Sequence, residues 1–157
     1  MTSIHNSADV RAVLEPLERK DFPQDAFDTA AWEAYVDTYK KCTAFFEAVA
    51  QALPALGMEL LSIGFYPAQN TDGYKTIAMQ FDLCFVSEEA FSAAMEKYGV
   101  DDEALFDTAN HESLRILNEA ARSSGLLGHE KYELLDGAYK PYKWNTPLRN
   151  EITVTVG

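Results

Sequence analysis

The sequence predicts an α+β fold: an antiparallel sheet of about four strands with helices packed on one face, in the order ααββααββ. Three observations carry this. A broad aromatic stripe of helical period covers about residues 28–53; a segment of period two follows at 61–85, interrupted by turn residues; and two amphipathic acidic segments lead to a second period-two stretch at the end of the chain. One sheet with helices on its apolar face satisfies this alternation. Residues 1–157 are read as a single domain, since 157 residues suffice for one core.

Taking the elements in order, Val10, Val13, Leu14 and Leu17 follow the spacing of a helix face, with Ser7 as N-cap. Pro16 lacks the amide hydrogen and clashes with the Ala12 carbonyl, so the helix is expected to end or kink near Leu14. Trp32, Tyr35, Val36, Tyr39, Cys42, Phe46, Val49 and Leu53 form the stripe of the second helix, stopped by Pro54 and Gly57. Such rings at helical spacing are expected in the core, because burying them is strongly favourable.

Leu61, Ile63 and Phe65 then alternate with Ser62, Gly64 and Tyr66. After a turn-rich connection from Pro67 to Gly73, the apolar row resumes as Ile77, Met79, Phe81, Leu83 and Phe85. This predicts a hairpin with one apolar face. Ser87 is placed to cap a helix that begins with Glu88 and Glu89, buries Phe91, Ala94, Met95 and Tyr98, and ends at Gly99. A further helix is expected from the cluster Asp101, Asp102, Glu103 towards Ser124 and Gly125, with a break near Asn110 and an apolar stripe of Leu105, Ala109, Ile116, Leu117 and Ala120. Strands are expected over about 132–143 and 151–156, and Pro141 makes the former an edge strand or breaks it there.

Charge limits the partners. The chain has 25 acidic and 13 basic residues, a formal net of −12, and residues 129–157 contain four of each. The whole excess therefore lies in residues 1–128. Such a field repels nucleic acid and anionic membranes and selects cationic partners. No apolar run approaches the ~20 residues of a membrane helix, and the opening residues lack the pattern of a secretory signal, so no membrane contact and a cytoplasmic location are expected. Cys42 and Cys84 are expected to be reduced and buried.

Catalytic and metal motifs are sparse. His5, His111 and His129 form no ligand motif; residues 110–115 begin like a zinc-protease helix, but Arg115 stands where the second histidine must project. No metal and no cofactor are expected. Asp82 shares a strand face with Gln80 and Cys84, and is the candidate for a tuned carboxylate in a crevice near Tyr66. In the tail, Tyr139, Lys140, Tyr142, Lys143 and Trp144, with Arg149 nearby, interleave cations and aromatics in the manner of a protein interface.

The densest acidity runs through residues 88–112, where eight carboxylates face only Lys97. Laid end to end these residues would span about 36 Å, along which duplex DNA presents roughly 21 phosphates. The chain is thus too sparsely charged to imitate a continuous duplex, but suits a smaller basic groove. The leading expectation is a non-catalytic inhibitor or antidote that covers a basic surface of a nucleic-acid-processing defence enzyme or of a toxin. In composition it resembles small acidic anti-CRISPR, antirestriction and immunity proteins. Its candidate contacts are Glu88, Glu89, Glu96, Asp101, Asp102, Glu103 and Asp107, with the tail residues as a second interface. Two other readings are a small enzyme or ligand-binding domain centred on Asp82, and a structural or chaperone-like subunit that pairs with itself.

Overall fold

The structure, a computed structural model, describes residues 8–10, 28–67, 76–126, 130–134 and 143–156, with 65–67 and 130–134 described by their backbone alone. It is α+β, with an antiparallel sheet covered by helices. Residues 8–10 are helical and Val10 is buried in the core; Val13, Leu14, Pro16 and Leu17 lie outside the described residues.

Asp28 starts the first long helix, its Oδ1 accepting from the Ala31 amide at 2.7 Å, and α1 runs Thr29–Ala52. Proline is tolerated in the first turn of a helix, so at Pro54 the chain tightens into a 3-10 turn, Leu53–Leu56, and leaves through Gly57. Glycine is needed there because φ is 70° and an added β-carbon would stand 3.3 Å from the Ala90 Cβ.

β1 (Met58–Pro67) and β2 (Thr76–Phe85) pair antiparallel. The phase of β1 differs from the simple alternation. Met58 and Leu60 fill the core face, the register shifts between Leu60 and Ile63, and Leu61 and Ser62 both stand across from Asp82. This bulge inserts one extra residue, so Ile63 returns to the core face while Leu61, expected inside, is only partly buried.

Ser87 and Asp101 cap α2 (Glu88–Tyr98) and α3 (Asp102–Ser124) through the Ala90 and Ala104 amides. α3 is continuous through Asn110, where a break was expected. No proline interrupts it, and the Ser113 hydroxyl donates to the Asn110 carbonyl within the helix. The chain then forms β3 (Glu130–Leu134) and β4 (Leu148–Thr155), and β4 lies between β2 and β3 in a sheet ordered β1-β2-β4-β3. Pro141 lies outside the described residues.

Helices α1, α2 and α3 meet the same sheet face through Phe81 and Phe85 of β2. Phe45 and Phe46 of α1 pack edge-on to Phe81, with ring centroids 6.3 and 5.4 Å away. Phe91 of α2 and Phe106 of α3 pack on Phe85 at 5.3 and 6.3 Å. Edge-to-face contacts of this kind add to the burial of the rings themselves.

Cys42 and Cys84 are both free and buried. Burial pushes the Cys42 thiol from 9.0 up to about 12. Above pH 9 the unfolded chain loses a proton that the folded one keeps, so stability falls as pH rises towards 12. Urea unfolding should show a loss of roughly 2 kcal/mol between about pH 9 and 10.5 that is missing in Cys42→Ala. Equal alkaline slopes in the two proteins would remove the thiol as the cause. Comparing these two proteins separates Cys42 from Cys84, which is raised to about 11, mainly by burial and then by Glu59 and Asp82.

Candidate binding surface

The starts of α2 and α3 account for much of the acidity. First-turn amides lack partners within the helix, and the positive end of the dipole favours carboxylates there. Glu88 and Glu89 open α2. Asp101 caps α3, its Oδ1 accepting from the Ala104 amide at 2.9 Å, while Asp102 Oδ1 accepts from the Glu103 amide at 2.8 Å. Glu96 and Asp107 stand outside these first turns. All seven acidic candidates are exposed.

The arginines of α3 are engaged along its own surface. Arg115 pairs with Glu112 at 3.0 Å and Arg122 with Glu119 at 3.7 Å, so the C-terminal half of α3 is balanced. Among the described residues no salt bridge reaches Glu88, Glu89, Glu96 or Asp107. Lys97, the lone cation of the acidic stretch, lies over the Tyr98 ring at 5.3 Å.

The seven acids divide into two poles. Glu88 and Glu89 stand at the start of α2, whereas Glu96, Asp101, Asp102 and Glu103 gather at its end, with Asp107 one turn further along α3. The 11 residues of α2 separate the poles by about 16 Å, twice the screening length of ~8 Å at physiological salt. They act as two fields, and the stronger lies at the α2–α3 turn. Glu103 and Asp107 are four residues apart on one helix, a like-charge arrangement.

Of the tail candidates, Tyr139, Lys140 and Tyr142 lie outside the described residues. Lys143 and Trp144 lie in a turn closed by two hydrogen bonds of 3.0 Å: the Thr146 amide donates to the Lys143 carbonyl, and the Lys143 amide donates to Thr146 Oγ1. Trp144 is partly buried against the core and Lys143 is exposed. With Glu88, Phe91, Ser92 and Met95 of α2 they border a groove of about 430 Å³. Glu88 of the weaker acidic pole and Lys143 and Trp144 of the tail, separate in the sequence, thus border one groove.

Arg149 does not border that groove. It stands across from Asp82 on the sheet face opposite the helices, its Nε donating to Oδ1 at 2.9 Å and its Nη2 to Oδ2 at 3.3 Å. The Ser62 hydroxyl, placed there by the bulge, donates to Oδ2 at 3.4 Å. Asp82, only 8% exposed, therefore sits away from the sheet-helix crevice, beneath a shallow depression of about 340 Å³ lined also by Gly64 and Gln80. Tyr66 pairs in register with Ala78, and its side chain is outside the description. Sequence reasoning set Arg149 beside the tail aromatics and missed its pairing with Asp82, because the two are 67 residues apart.

This arrangement predicts the behaviour of a cross-strand ion pair. Arg149→Met should cost about 1–2 kcal/mol in urea unfolding, below the loss for a fully buried pair because Arg149 is half-exposed. Adding Asp82→Asn should recover part of that loss by removing the unpaired charge. No recovery would mean that Arg149 stabilises the sheet through contacts other than its pairing with Asp82.

Residues 110–115 hold no metal set: His111 Nδ1 is 2.9 Å from the Asp107 carbonyl and Arg115 holds Glu112. No group of metal-binding side chains exists among the described residues, nor any helix long and apolar enough to cross a membrane. His5 and His129 lie outside the described residues. Val86, 42% exposed, is the exposed large hydrophobic among the described residues. Comparison with protein-family models, with curated proteins and with solved structures finds no match to this chain.

Proposed function

We propose that the protein is a non-catalytic acidic binding protein whose surface at the α2–α3 turn covers a basic surface of another protein. The partner class is a nucleic-acid-processing defence enzyme or a toxin, which the chain restrains as an inhibitor or antidote in the cytoplasm. The observation that supports this reading is charge segregation. The balanced half of α3 uses its own arginines, whereas Glu96 and Asp107 stand exposed without an ion pair among the described residues, beside Asp101, Asp102 and Glu103. Opposed to a basic groove, such a surface steers encounter and excludes nucleic acid by occupying the same cations.

Affinity capture with the tagged chain, from its host and from cells carrying candidate defence systems, tests the reading at low and high ionic strength. A basic protein should be retained at low salt and lost steeply at high salt. Affinities for every basic partner that do not change with salt would end the proposal.

A further inference from the structure

Resting on that reading, we infer that the groove between α2 and the Trp144 turn receives an arginine side chain of the partner. Its walls differ in chemistry. Glu88 supplies a carboxylate that makes no salt bridge among the described residues, Trp144 supplies an indole held in place by partial burial, and Phe91 and Met95 supply apolar surface. A guanidinium stacks on an aromatic face, offers its edge to a carboxylate, and leads to an aliphatic stem that apolar surface accepts. Lysine carries a compact, strongly hydrated charge and gains less from the indole.

The groove also separates two charges. Lys143, from the Trp144 turn, also borders it and is not bridged to Glu88, so it opposes the incoming cation that Glu88 attracts. The two residues should therefore act with opposite sign on the same ligand. The site is distinct from the stronger acidic pole, which lies at the other end of α2. An arginine here fixes the orientation of a partner that the α2–α3 turn attracts.

The test titrates the full-length, nitrogen-15-labelled chain with hexa-arginine and hexa-lysine peptides. The Trp144 indole N–H reports the groove. The Trp32 indole, stacked on Tyr35 in α1 with centroids 6.1 Å apart, is the internal reference. The expected result is a saturable shift of Trp144 with Trp32 unmoved, and binding of the arginine peptide about 2–5-fold tighter than the lysine peptide. Glu88→Gln should weaken it by about 2–5-fold and Lys143→Gln should tighten it. A still Trp144, equal response to both peptides, or indifference to Glu88→Gln overturns the arginine site. Shifts confined to the amides of residues 96–107 do so while leaving the acidic-surface reading in place, and no shift anywhere removes both.

Discussion

Replacing Phe81 by alanine is expected to destabilise the protein by about 3–5 kcal/mol in urea or thermal unfolding. Phe81 is 1% exposed, and its ring packs edge-on against both Phe45 and Phe46 of α1. β2 is hydrogen-bonded to β1 on one side and β4 on the other, so the backbone has little freedom to collapse into the cavity. Across the strand lies Asn150, 0% exposed, whose Oδ1 has no hydrogen-bond partner. Water entering beside that oxygen would place the loss at the lower end of the range. Against a total stability of ~5–15 kcal/mol for a domain, even that is severe. Phe81→Leu, which keeps most of the apolar volume, should lose much less. A loss below about 1 kcal/mol for the alanine variant would mean that the α1–sheet interface does not close on this ring.

The legibility of the fold followed the strength of each local pattern. The stripe of α1 was readable because its residues repeat at helical spacing under a clear cap and stop, yet Phe45 was missed at the stripe's margin and is fully buried on Phe81. The run Leu60-Leu61 offers both phases of a strand, and a bulge decides between them only through pairing with β2. Asn110 carries no signal that separates a break from continuation; the helix continues because the flanking apolar residues Leu105, Phe106, Ile116 and Leu117 share one buried side. Arg149 meets Asp82 only because β4 lies beside β2, a neighbour relation that local spacing does not encode. The acids were legible as a count, not as a surface. Five of the seven lie at helix starts, where local electrostatics favours them without any partner. The juxtaposition of Glu88 with Trp144 depended on tertiary contacts that no spacing encodes.

That division of the acids sets the terms for the largest functional effect. Glu96→Gln, Glu103→Gln and Asp107→Asn together are expected to slow association with the captured partner by about 100-fold at low ionic strength, with a smaller change in dissociation. These positions spare Asp101 and Asp102, which hold amides at the start of α3; Glu103 also lies in that first turn, so the unfolding stability of the triple variant is measured beside its binding. The control carries the same charge change elsewhere: Asp37→Asn, Glu112→Gln and Glu119→Gln remove carboxylates paired with Lys41, Arg115 and Arg122. It frees three cations in place and should slow association less than the first set, because it leaves the α2–α3 turn intact. Equal slowing by both sets would make total charge, rather than a placed surface, the attractive agent. No slowing by either would return the acids to the role of solvated helix starts, since a steered encounter must weaken when its field is removed.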